Sequence, residues 1–184
     1  MIEQTFGPRR CRDSKKPPSD QCPGVSFYRC ENCGSLFLIT GDNTHSEKEI
    51  FCCGIKTVHL IPDSPDLVKD KITLDYKITG GYNDNAVKVY WEAKKTEYIP
   101  EWIYLKTFTG GYLKYVSKAK RPPLVFSLAD TDAFAYCDED PCLECVFRCK
   151  RGFVIYSYSR ETGLTYVPLD KMTAQWQSGA NKNS

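Results

Sequence analysis

From Lys71 onward the chain alternates. Ile72, Leu74, Tyr76 and Ile78 are apolar, and Thr73, Asp75 and Lys77 between them are polar, the period of two that marks a half-buried strand. Gly80-Gly81 ends the run. Further strands are expected over Ala86 to Trp91, Ile99 to Phe108, Tyr112 to Val116 after the Gly110-Gly111 turn, Leu124 to Leu128, and Ala133 to Cys137. Phe153 to Ser159 and Leu164 to Leu169 flank Arg160-Glu161-Thr162-Gly163, a hairpin pattern. No segment shows a helical period of comparable strength. Short strands separated by turn residues imply a β-sandwich.

Ahead of the alternating region the pattern changes. Residues 1–25, with Lys15-Lys16-Pro17-Pro18, cannot continue a helix or a central strand and read as an extended arm. Residues 26–62 form a compact cysteine module, and Ile61-Pro62-Asp63-Ser64-Pro65-Asp66 reads as a linker or tight turn. The sandwich then occupies 63–150, an additional β-hairpin 151–172, and a polar tail 173–184. The expected class is all-β, a small four-cysteine metal module followed by a β-sandwich.

Composition adds limits to this picture. The 184 residues are 41% hydrophobic and 13% aromatic, enough for a core. Lys and Arg number 25 against 23 Asp and Glu, a net charge of +2. That balance gives no electrostatic reason for a nucleic-acid partner. No apolar run approaches the roughly 18 residues that span a bilayer, so membrane insertion is not expected. The first residues lack the apolar centre of a secretory signal, and cytoplasm is the expected compartment. Ten cysteines remain to be explained. Cys-x-x-Cys spacing and the adjacent Cys52-Cys53 suit ligation better than five disulfides, and clustered thiols in a reducing compartment bind metal or do redox chemistry.

Tyr28-Arg29-Cys30-Glu31-Asn32-Cys33-Gly34 lets one turn offer two sulfurs to a single ion, and Phe51-Cys52-Cys53-Gly54 offers two more. Four thiolates satisfy a tetrahedral ion that takes sulfur, iron or zinc. Gly34 and Gly54 allow backbone conformations in which amide N–H groups approach the sulfurs. Two neighbouring cysteines on one ion imply a wider, distorted angle.

These two segments together resemble the N-terminal desulforedoxin-like module of the desulfoferrodoxins, where four cysteines hold a rubredoxin-like iron. The resemblance favours iron over zinc at Cys30, Cys33, Cys52 and Cys53. It continues through Lys71-Ile72-Thr73-Leu74-Asp75-Tyr76-Lys77-Ile78-Thr79-Gly80-Gly81-Tyr82, similar to the first strand and turn of the superoxide reductase domain. Glu101-Trp102-Ile103 matches that domain's Glu-Trp-Ile. Pro122 to Cys137, ending in Ala135-Tyr136-Cys137, resembles the segment that delivers the axial cysteine. The resemblance implies an immunoglobulin-like sandwich and a homodimer; the arm and hairpin equally suit docking onto another subunit.

The departures bear on function. The family's catalytic iron has four histidines around one cysteine, and this chain has only His45 and His59. Carried across by position, the family histidines fall on Lys71, near Trp91 and Glu97, and on Asp140. The preceding Glu-Lys falls on Lys69-Asp70. A lysine is a cation and an indole offers no lone pair. Only Cys137 survives, so the superoxide chemistry is expected to be absent. Glu97 and Asp140 read as ordinary surface carboxylates, His59 as packed or solvent-facing, and His45 as part of a polar stretch.

Cys137-x4-Cys142-x2-Cys145-x3-Cys149 lies outside that resemblance. Its first three members have plant-type ferredoxin spacing, and a second centre there would be an iron–sulfur cluster or zinc. In an alternative set Cys142, Cys145 and Cys149 share an ion with Cys11 or Cys22 while Cys137 stays buried.

Three functions follow as expectations. The first is an iron protein of electron transfer, alone with a redox partner or as a subunit of a larger oxidoreductase complex. The second is a superoxide reductase with altered ligands. The third is a zinc-bound structural or interaction protein, in which Phe153, Ile155, Tyr156 and Tyr158 could form a docking edge, although in a strand such residues are more often core.

Overall fold

The computed structural model describes residues 22–41, 48–79, 85–134, 150 and 152–169. In chain order its strands are β1 Gly24–Arg29, β2 Leu36–Gly41, β3 Phe51–Cys52, β4 Ile55–Lys56, β5 Val58–Leu60, β6 Ile72–Thr79, β7 Ala86–Ala93, β8 Trp102–Lys106, β9 Gly111–Tyr115 and β10 Leu124–Ser127. A five-residue helix α1, Asp130–Phe134, precedes β11 Val154–Ser159 and β12 Gly163–Pro168. The described chain is all-β with a small four-cysteine module, as its pattern implies.

Two sheets face each other. One has the order β10-β7-β6 and the other β12-β11-β8-β9, with every neighbour antiparallel. The alternation of β6 fixes its register, setting Leu74 opposite Trp91, Tyr76 opposite Val89 and Ile78 opposite Val87, the cross-strand apolar pairs that stabilise a sheet. Those side chains meet Ile103, Leu105, Phe153 and Ile155 from the second sheet in the main core.

β8 is apolar at four successive positions because both its faces are covered. Ile103 and Leu105 point into the main core, while Trp102 and Tyr104 point the other way. There they meet Phe27, with Val25, Leu36, Leu38 and Leu60 of the cysteine module packed alongside. The module is the three-stranded sheet β2-β1-β5 with the β3-β4 hairpin beside it, and it lies on the outer face of the four-stranded sheet. Its first strand begins at Gly24, inside the segment that reads as an arm.

The hairpin β11-β12 is no appendage. β11 sits between β12 and β8 across a register running from Val154–Lys106 to Tyr158–Trp102. Phe153, Ile155 and Tyr158 are therefore buried, as core residues of a strand are, and they form no docking edge. The linker is also tied down: Asp63 N–H donates to Leu164 O (2.8 Å), Tyr166 N–H donates to Asp63 O (3.2 Å), and Pro65–Leu67 makes one 3-10 turn. Pro100, without an N–H to give, follows a 3-10 turn at Thr96–Tyr98, so β8 starts at Trp102 and not at Ile99.

Ala133 and Phe134 belong to α1, not to a strand. The side chain of Asp132 explains the difference. It is buried, and its carboxylate accepts from Phe108 N–H (3.1 Å), Thr109 N–H (3.2 Å) and the Thr109 hydroxyl (2.7 Å). That contact fixes the chain here as a turn of helix, and the acidic first turn suits a helix N-terminus.

Candidate metal centre

Two turns build the centre. The first follows β1: Gly34 N–H donates to Cys30 O (2.8 Å) and Cys30 N–H to Ser35 O (2.9 Å), closing a loop around Cys30 and Cys33. Gly34 has φ +75°, a conformation in which a Cβ is strained. Its own N–H goes to a carbonyl, and the next amide, Ser35 N–H, donates to the Cys33 sulfur. The second turn joins β3 to β4, with Cys53 at φ +52° and Gly54 at φ +74°. Positive φ at both central positions is the turn type whose twist matches a two-residue hairpin. A non-glycine residue held there marks a constrained position. Thr57 brackets the hairpin, its N–H and hydroxyl both donating to Ile50 O, at 2.8 and 3.0 Å.

The four sulfurs converge. All lie within 4.8 Å of one another. Cys33 Sγ is 3.6 Å from Cys52 Sγ, which is 3.8 Å from Cys53 Sγ. A regular tetrahedron with arms of about 2.3 Å has edges of about 3.8 Å. A disulfide would need about 2.05 Å. The donor set thus fits one sulfur-bound ion, and the adjacent pair is no wider than a regular edge because the positive φ at Cys53 turns its side chain back. Cys30 is buried, Cys52 half-buried, and Cys33 and Cys53 exposed. Among the described residues this is the one group of three or more Cys, His, Asp or Glu side chains close enough to hold a metal ion.

The protons are unequally shared. The Ser35 hydroxyl, 3.1 Å from Cys33 Sγ, is the main cause that lowers the Cys33 thiol to about 6. Cys52 is pushed up to about 12, chiefly because it keeps its proton to donate to Cys33, and Cys53 is raised for the same reason. An incoming ion must displace those protons.

No protein-family model matches the chain, and no curated protein does. Among solved structures, the crystal structure of the superoxide reductase from Treponema pallidum superposes with a TM-score of 0.53 at 17% identity, over 79% of this chain and 98% of that one. The fold is superoxide reductase-like. At that identity the likeness is one of fold.

On this superoxide reductase-like frame, the described positions carried over from the family's histidines each make other contacts. Trp91 is buried in the main core. Lys71 Nζ lies 3.4 Å from Glu161 O and 6.0 Å from the centroid of Tyr98. Glu97 pairs with Lys95 at 3.6 Å, both exposed. His59 is exposed and stacks one face on Tyr28, with centroids 4.6 Å apart and planes at 19°. Asp140, His45, Cys11 and the second cysteine set, Cys137, Cys142, Cys145 and Cys149, lie outside the described residues. Cys22 packs against the main core.

Some residues around the centre carried no signal in the sequence. Ser35, two places after Cys33, is a local clue that spacing rules for ligands overlook. Arg29 is not local at all. Its Nη1 donates to the Tyr158 hydroxyl at 2.7 Å and its Nη2 lies 3.5 Å from Glu101 Oε2.

Proposed function

We propose that the protein is a one-electron carrier in which Cys30, Cys33, Cys52 and Cys53 hold an iron ion. The observation that carries this reading is four sulfurs at tetrahedral spacing with two of them exposed. An iron ion in four thiolates supplies the exchange of a single electron with little change in geometry. The chain contributes the rest. Two hydrogen-bonded turns hold the sulfurs in place, burial of Cys30 shields one side, and exposed Cys33 and Cys53 leave a short approach for a donor or acceptor. Lys71, Trp91 and Glu97 support the loss of the histidine-ligated catalytic iron, since two histidines in the whole chain cannot supply four imidazoles.

In this reading the protein works with a redox partner or inside a larger oxidoreductase complex in the cytoplasm, as a monomer or homodimer. Among the described residues no helix is long and apolar enough to cross a membrane. Cys137, Cys142, Cys145 and Cys149 would hold a second centre. One metal equivalent per chain, with those four thiols still titratable, would dismiss that second centre.

Anaerobic purification with elemental analysis and an absorption spectrum tests the proposal. Iron with a visible spectrum bleached by one electron is the expected result, together with no reaction when the reduced protein is mixed rapidly with superoxide. One feature favours a zinc reading instead: β3 and β4 have two residues each, and a closed structural zinc would supply their folding energy. A colourless protein with one zinc would decide for it.

A further inference from the structure

Glu101 and Arg29 have no part in binding the ion directly, yet they meet beside it. Arg29 immediately precedes Cys30, and its side chain is only 13% exposed. A Cβ on Gly34 would lie 3.5 Å from Arg29 Nη2. The guanidinium therefore packs against the Cys30–Ser35 turn, next to the residue that follows Cys33. It is held there by the sandwich, through the Tyr158 hydroxyl and Glu101 Oε2. Glu101 is itself fixed at both ends. Its N–H donates to Tyr158 O (2.7 Å), its carbonyl accepts from Val116 N–H (2.9 Å), and its Oε1 accepts from Arg160 N–H (3.1 Å).

A divalent ion in four thiolates carries two excess negative charges, and a half-buried cation beside it lowers their cost. We propose that Arg29 sets the charge balance of the four-cysteine centre, and that Glu101 is the positioning residue that holds Arg29 and offsets part of its charge. The Glu-Trp-Ile segment thereby acquires a role in this chain: Trp102 stacks on Phe27 under the module, and Glu101 meets the module's cation. The sandwich tunes a centre it does not ligate. This inference rests on metal binding at the four cysteines, but not on which metal binds.

The two substitutions should act in opposite directions, which a purely structural link between module and sandwich would not do. Cobalt(II) is the probe, titrated into the full-length apo chain, reading the tetrathiolate absorption phase that a Cys30→Ser variant lacks. Arg29→Gln should weaken that phase about tenfold. Glu101→Gln, which leaves Arg29 uncompensated, should tighten it by at least threefold. In iron-loaded protein, Arg29→Gln should shift the one-electron equilibrium towards the oxidised form by about tenfold, about 59 mV lower in potential, and Glu101→Gln should raise the potential. If Arg29→Gln fails to fold, the sign of the Glu101→Gln effect carries the test alone. Shifts of the same sign, or a change below threefold in either folded variant, overturn the proposal. A protein that binds cobalt as stated but holds zinc natively removes the electron-transfer reading and leaves this one standing.

Discussion

Phe27 of the cysteine module stacks on Trp102 of the sandwich, with ring centroids 5.3 Å apart and planes at 26°. Tyr104 meets the Phe27 ring edge-on at 5.4 Å, and Tyr156 meets it at a tilt at 5.1 Å. Module and sandwich thus share one aromatic core, and β1, which ends one residue before Cys30, is rooted in it. Phe27→Ala should cost about 3–5 kcal/mol, the usual range for emptying a buried aromatic site. Denaturant unfolding of the full chain reads the loss. A change below 1 kcal/mol would mean the two parts do not fold as one.

Metal affinity should rise with pH. Cys52 at about 12 and Cys53, raised from its ordinary value, hold protons at neutral pH, and thiolates are what an ion binds. Loading therefore releases protons, and each proton displaced makes affinity change about tenfold per pH unit. Titrating cobalt(II) into weakly buffered apo protein with a pH indicator should show acidification. No proton release at pH 7 would contradict the proton distribution described.

Gly34→Ala should injure the centre through its backbone. The left-handed conformation at φ +75° costs a residue with a Cβ about 1–2 kcal/mol, while the Cβ itself would meet Arg29 only in ordinary contact at 3.5 Å. Thermal unfolding of metal-loaded protein should show lower stability and weaker metal retention than wild type. A variant that matches wild type in both would remove the conformational account of this turn.

Asp132→Ala should loosen the link between α1 and the β8-β9 turn. The carboxylate accepts the N–H groups of Phe108 and Thr109, and the buried Phe108 donor left unmet costs about 1–3 kcal/mol. Hydrogen exchange at those two amides should accelerate ahead of the rest of the sheet. Unchanged protection there would show that other acceptors replace the carboxylate.

The four-cysteine group was readable because its ligands come from two short turns, where spacing alone brings sulfurs together. β6 was readable because alternation over eight residues is a local property that one buried face imposes. The hairpin β11-β12 announced itself through Arg160 to Gly163, but its seat beside β8 depends on pairing with residues some fifty positions away, such as Tyr156 with Tyr104. No local pattern encodes that partner. Arg29 and Tyr158 are 129 residues apart, so their hydrogen bond left no trace either. Ala133 misled for the opposite reason: a short apolar run looked extended, whereas the buried Asp132 carboxylate ties this turn to the backbone of another loop.

The metal content of a Cys30→Ser, Cys52→Ser double variant, measured beside wild type after anaerobic purification, tests the shared ion most directly. It removes one ligand from each turn and leaves the second cysteine set untouched. One equivalent lost per chain is the expected result. A variant that keeps the wild-type metal content would mean these four sulfurs do not hold an ion together.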